Sequence, residues 1–150
     1  MGVIKQYLNS RKDMNYVKLA EEIATQAHAG QFRRDGVTPY IVHPEAVASR
    51  VDSPDLKVVA WLHDVIEDTP LTAKDLLDKG IKDDHIQAVI LLTKKKGQSN
   101  KEYWDAIKPN SLARKVKIAD MLTNLNDDPT DYQRTKYALG LKYLSELTEI

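Results

Sequence analysis

The chain has 150 residues, 42% hydrophobic and 29% charged, and its 22 basic side chains balance 22 acidic ones. This length suits one domain that buries a core, and zero net charge excludes a global basic field that would recruit nucleic acid or an anionic membrane. There is no cysteine, so disulfides and thiolate metal sites are excluded; no apolar run is long enough to span a bilayer, the opening residues lack a signal-peptide core, and Gln6 stands where a myristoylation signal carries Ser or Thr, so a cytoplasmic location is expected.

In chain order the pattern reads as helix after helix. Residues 14–29 carry helical periodicity and stop at Gly30. Residues 31–42 hold Gly36 and Pro39 and read as a loop with at most a short extended piece. A short helix is expected from about Pro44, since proline suits a first turn. A further helix follows Ser53-Pro54, with Ser53 as its N-cap. Thr72 opens a short helix ending near Gly80, and helices are expected at 82–93, 100–107, 111–126 and 131–148. No alternating strand pattern survives a count apart from the ambiguous stretch Val89 to Thr93, and there is no repeat or long linker. The expected fold is all-α, a compact single helical bundle over residues 1–150.

The stretch Trp61 to Thr69 places His63, Asp64, Glu67 and Asp68 in six consecutive positions among apolar neighbours. Drawn as one continuous helix at about 100° per residue, with His63 at 0°, Glu67 falls near 40°, Asp64 near 100° and Asp68 near 140°. Val58, Val59, Leu62, Val65 and Ile66 fall on the other side. One face then packs into a core, and the other presents an imidazole and several carboxylates to one small volume. Such a cluster is stable when solvated or when a cation neutralises it, and the segment alone leaves both open.

A metal site needs ligands from more than one element. Of the four histidines, His43 enters a helix beside the stiffening Pro44. His28 lies on an apolar helix face and reads as a packed, hydrogen-bonded residue. His85 has acidic and polar neighbours and is expected to be solvated. Asp120 follows an apolar stretch, with Asn124 one turn later; a buried Asp there needs a partner, and a surface pair with Lys117 is the alternative.

Three blocks, "AHAGQFRRDGVTPYIVHP", "LHDVIEDT" and "VKIADMLTNL", occur in an order and spacing that resemble the HD-domain phosphohydrolases, and among them the hydrolase domain of the Rel/SpoT alarmone enzymes and their stand-alone small hydrolases. The resemblance runs from about residue 20 to 126 and does not extend to a synthetase domain. It implies an HD-type helical fold. It places the family's metal ligands on His43, His63, Asp64 and Asp120, a donor set suited to a divalent ion, which in this family is usually manganese. It places the catalytic pair on Glu67 and Asp68, which handle water and the leaving-group proton. It puts a base-stacking role on Arg33, phosphate contacts on Arg34 and Lys94, with Lys95 and Lys96 beside it, and a contact near the nucleotide sugar on Asn124. The implied reaction removes the 3′-pyrophosphate of (p)ppGpp, or of a relative such as ppApp. A small-molecule nucleotide substrate is implied, with no nucleic-acid or membrane partner, and a functional pairing with a toxic alarmone synthetase fits the same reading. Other readings are an HD phosphatase acting on NADPH or another nucleotide, and a catalytically silent nucleotide-binding regulator. Two departures bear on substrate choice: Met121 and Asn126 stand where the family often carries a basic residue.

Overall fold

The computed structural model describes residues 2–146. Among them are nine helices and no strand; the one extended feature is an isolated antiparallel bridge between Phe32 and Pro39. The helices are α1 (Gly2–Ala27), α2 (Val42–Ser49), α3 (Pro54–Leu62), α4 (Val65–Asp68), α5 (Ala73–Asp78), α6 (Asp83–Leu92), α7 (Asn100–Ile107), α8 (Ser111–Leu125) and α9 (Asp131–Ser145). The all-α expectation holds, and Val89 to Leu92, ambiguous in sequence, lie in α6. The last residues of the expected helix 131–148 fall outside the described residues.

Helix starts follow local chemistry. Ser53 accepts the Leu56 N–H at 3.1 Å, and Pro54 occupies the first turn of α3. Thr72, Ser99 and Thr130 each form reciprocal capping boxes with Asp75, Glu102 and Gln133. In the 31–42 loop, Asp35 accepts the backbone N–H groups of Val37 and Thr38 at 2.9 and 2.8 Å, and Gly36 takes the left-handed φ of 73° that the turn requires.

Helix α3 is the axis of the core. Leu56, Val58, Val59, Ala60, Trp61 and Leu62 are all buried, and α1, α2, α6 and α8 pack around them. This corrects the single amphipathic wheel. A helix surrounded on every side shows no polar face, so the charged residues lie at its end. The helix stops at Leu62 and α4 resumes at Val65. At the break His63 Nδ1–H donates to the Ala60 carbonyl at 2.6 Å, and Asp64 takes φ −104°, ψ 0°. The side chain thus takes over a helix-end acceptor and lets the backbone leave the helical path.

Two boundaries differ from the sequence reading. Helix α1 begins at Gly2, not near residue 14, because residues 2–12 form exposed helical turns that contribute nothing to the core among the described residues. Apolar periodicity reports burial, and this segment has none. Helix α2 begins at Val42, two residues before Pro44. His85 also differs. It is 1% exposed and sits 2.7 Å from Asp55 Oδ1, tying the start of α6 to the start of α3. Its polar sequence neighbours face solvent while the ring turns inward.

Gly140 on α9 packs closely against α8. A Cβ there would collide with Met121 and approach Trp104 Cζ2 to 2.9 Å. Met121 is itself fully buried, which accounts for an apolar side chain at that position. Gly140→Ala is therefore expected to lower stability by about 1 kcal/mol. Overpacking of roughly 1–3 kcal/mol outweighs the helix-propensity gain of about 0.5–1 kcal/mol. Urea denaturation checks this, and an unchanged or higher midpoint would refute it.

Candidate metal centre and substrate cleft

A cleft of about 750 Å³ opens over the α3–α4 break, walled by α2, α8, α9, the 31–42 loop and the lysine-rich segment after α6. Its floor gathers residues 77 positions apart. His43, the second residue of α2, places Nε2 2.8 Å from Asp120 Oδ1 of α8. His63 Nε2 lies 3.4 Å from the same oxygen and 3.1 Å from Asp64 Oδ2. His43, His63 and Asp120 form one close donor group, and Asp64, Glu67 and Asp68 form a second beside it. His43, His63 and Asp120 are at most 5% exposed.

The tautomer of His63 indicates what this group suits. Its Nδ1–H is committed to Ala60, so Nε2 carries a lone pair. That buried Nε2 has no hydrogen-bond partner among the described residues, although two carboxylates stand beside it. A lone pair aimed between carboxylates needs a cation among them, and a backbone carbonyl holding the far ring nitrogen is the usual support of a metal-ligating histidine. The donor set fits a divalent metal. Without one, a proton serves the same need: burial opposes charge on His63, but Asp64 and Asp120 outweigh it and raise its pKa.

Each carboxylate is oriented by a neighbour that sequence reasoning did not assign to the site, or assigned only as a surface pair. Tyr40 O–H donates to Asp64 Oδ2 at 2.5 Å, and its ring lies between those of His28 and His43. Lys117 Nζ contacts Asp120 Oδ2 at 2.9 Å, and both are buried or nearly so. Burial opposes ionisation of Asp120, yet Lys117 and the two imidazoles hold its pKa well below the ordinary carboxylate range. The lysine pair and the histidine cluster, alternatives in the sequence, coexist on the two oxygens of one carboxylate. Asn124 Nδ2 leans on Asp120 Oδ1 at 3.4 Å. His28 is packed and hydrogen-bonded as expected, Nδ1 to Gln31 Oε1 at 2.8 Å, and Gln31 in turn holds the Asp68 carbonyl at 2.9 Å.

Glu67 and Asp68 face the open cleft. Glu67 accepts the backbone N–H of Lys94 at 2.7 Å. Partial burial, with the charges of Asp64 and Asp68 adding to it, raises the Glu67 pKa; partial burial and Asp64 do the same for Asp68. Carboxyl groups whose pKa values are raised, beside a donor cluster suited to a metal, have the character of proton-transfer groups.

The basic residues ring the mouth. Arg33 pairs with Asp127 at 2.6 Å and lies over the Tyr40 ring at 5.7 Å. Arg34 reaches Gln133 Oε1 at 3.3 Å and the Asp128 carbonyl at 3.2 Å. Lys94 Nζ donates to Asn100 Oδ1 at 2.7 Å. Lys95, Lys96, Lys136 and Tyr137 also line the cleft. Lys136 and Tyr137 carry no local signal in sequence; only the packing of α9 on α8 brings them here.

A histidine–aspartate pair at a helix break is thus joined by a histidine and an aspartate from two other helices, the arrangement that the resemblance to HD-domain phosphohydrolases implies. No protein-family model matches the chain. It is similar to a guanosine-3′,5′-bis(diphosphate) 3′-pyrophosphohydrolase of Haemophilus influenzae, with 51% identity over 61 residues, covering 38% of this chain and 9% of that protein. It is also similar to the bifunctional (p)ppGpp synthase/hydrolase SpoT of Escherichia coli K12, with 42% identity over 79 residues, covering 49% of this chain and 11% of that one. The chain thus spans about a tenth of the length of these curated relatives. A solved structure described as a metazoan ortholog of SpoT that hydrolyses ppGpp superposes with a TM-score of 0.67 at 25% identity, over 86% of this chain and 83% of that one. In its motif-bearing helices and in its fold the chain is similar to the hydrolase domain of Rel/SpoT-type enzymes.

Proposed function

We propose that this domain hydrolyses the 3′-diphosphate of (p)ppGpp or of a close relative such as ppApp. Water oxygen adds to the phosphorus bonded to the ribose 3′-oxygen, the bond from that phosphorus to the 3′-oxygen breaks, and the 3′-oxygen takes up a proton. The products are GDP or GTP, or the adenine counterpart, and pyrophosphate. The observation that carries this reading is the His63 Nε2 lone pair held between Asp64 and Asp120, with Glu67 and Asp68 in the same cleft.

His43, His63, Asp64 and Asp120 would hold the ion, which we assign as Mn²⁺. A divalent cation bound there supplies Lewis-acid activation of water and neutralises phosphate charge. Glu67 accepts the water proton, positioned by the Lys94 backbone, and Asp68 exchanges the proton required at the 3′-oxygen. Arg33 stacks on the base after parting from Asp127, Arg34 and Lys94 contact phosphate, and Asn124 meets the sugar. Residues 1–150 act as a single domain in the cytoplasm, functionally paired with an alarmone synthetase. Among the described residues no helix is long and apolar enough to cross a membrane.

The test is a Mn²⁺-supplemented hydrolysis panel over ppGpp, pppGpp, ppApp, NADPH and plain nucleotides, with products identified. Release of pyrophosphate from a 3′-diphosphate is the expected result. Turnover of NADPH or plain nucleotides alone, or tight binding of a nucleotide without turnover, overturns the reading. Arg33→Ala is expected to raise KM for ppGpp at least about tenfold while changing kcat little. A contact to a base that does not react stabilises ground and transition states alike, and a charged contact is worth roughly 1.5–3 kcal/mol. Steady-state kinetics check this; a large fall in kcat at constant KM would contradict it.

A further inference from the structure

The cations of the cleft differ in what holds them. Arg33 has Asp127, Lys117 has Asp120, and Lys94 Nζ has the Asn100 side-chain carbonyl. Lys95 and Lys96 are exposed, and Lys136 is the half-buried cation without such a partner among the described residues. It projects from α9 into the cleft and is half-buried, yet among the described residues no carboxylate lies within 4.0 Å of its ammonium. Its ammonium lies 5.2 Å from the centroid of the Tyr137 ring. Burial and the like charges of Lys117 and Lys94 act on it together, and pull its pKa down, while Asp120 and Glu67 pull the other way. Lys136 thus lines the same cleft as Asp120, Glu67, Lys94 and Lys117. Half-burying an unpartnered ammonium beside like charges is unfavourable in the free protein. An anion that enters between the lysines and the floor relieves it.

The position in the cleft narrows what that anion is. Arg33 and Arg34 are bound to the 127–133 segment, at the N-terminal end of α9. Lys136 lies one turn further along α9 from Gln133, in the field of Asp120 and Glu67. The phosphorus that water attacks must sit at the floor cluster. The next phosphoryl group, one bridging oxygen away, is then within reach of a cation that lines the same cleft. Resting on the proposed 3′-diphosphate hydrolysis, we propose that Lys136 binds the terminal phosphoryl group of the diphosphate that is transferred to water, with Lys94 as its companion. Lys136 is thus the residue that distinguishes a 3′-diphosphate from a 3′-monophosphate.

The experiment compares wild type, Lys136→Gln and Lys136→Arg in the metal-loaded full chain, with circular dichroism and melting as a check on folding. Three ligands are used: ppGpp, inorganic pyrophosphate, and guanosine 5′-diphosphate 3′-monophosphate, which lacks the terminal phosphoryl group. Lys136→Gln is expected to weaken pyrophosphate binding and to lower kcat/KM for ppGpp by roughly 10–100-fold, the usual range for losing a charged hydrogen bond. It should leave affinity for the 3′-monophosphate within about twofold, and Lys136→Arg should restore most of the loss, since the charge returns. Equal losses for the diphosphate and the monophosphate overturn the assignment, as does unchanged pyrophosphate binding in Lys136→Gln or no pyrophosphate binding by the wild type. Calorimetric titration with pyrophosphate requires no turnover. If the wild type hydrolyses no 3′-diphosphate, the proposed reaction has failed, and the titration still decides whether Lys136 is a phosphate ligand.

Discussion

Replacing Glu67 by Gln and Asp68 by Asn together is expected to abolish nearly all hydrolysis while leaving the fold, the metal and nucleotide binding in place. Both side chains face the cleft beyond the buried donors, so neither amide leaves an unpartnered group in the core. A Gln at position 67 still accepts the Lys94 N–H through its carbonyl oxygen, so the segment after α6 keeps its anchor. What the amides cannot do is take up a proton. General acid–base catalysis contributes about 10²–10⁴-fold, and a loss of at least that order is the expected reading. Nucleotide affinity should hold or rise, because two negative charges near phosphate are removed. Hydrolysis of ppGpp at close to the wild-type rate by the double variant would show that neither carboxyl carries the proton.

The second large effect concerns the metal. Purified protein should contain about one divalent ion per chain, and His63→Ala or Asp64→Ala should lose it, because both groups converge on the same buried point. Asp64→Ala also strips Tyr40 of its acceptor. Asp64→Asn is the better control, since the amide still accepts the Tyr40 hydrogen bond but brings no charge to the ion. At a metal concentration 100 times Kd, binding adds about 2.7 kcal/mol. For a domain of this size that corresponds to roughly 5–10 °C in Tm. Chelation should therefore lower the wild-type melting temperature by about that much and leave the variants unchanged. Elemental analysis giving equal metal in wild type and all three variants would refute the ligand assignment.

The origin of these side chains' geometry divides between chain and fold. Helix starts at Ser53 and Thr72 were legible because a capping oxygen and the backbone N–H it accepts from lie within three residues of each other. The all-α class was legible because apolar periodicity is also local. The residue types of the candidate site, His43, His63, Asp64, Glu67, Asp68 and Asp120, stood out because charged groups in apolar surroundings need a reason at any point in a chain.

What each of those side chains meets was decided by tertiary structure. The wheel that joined His63 to Glu67 on one continuous helix missed the break. That break is made by a side chain bonding back to Ala60 at the end of a helix enclosed on all sides. His85 looked solvated because its sequence neighbours are, but its partner Asp55 lies 30 positions away. Arg33 meets Asp127 at a separation of 94 residues, and Lys136 lines the cleft from α9, which packs against Met121 of α8 at Gly140. Local rules extend over one or two helical turns. The lone pair of His63, the second oxygen of Asp120 and the unpartnered charge of Lys136 depend on which helices touch, and that is set by packing the whole core at once.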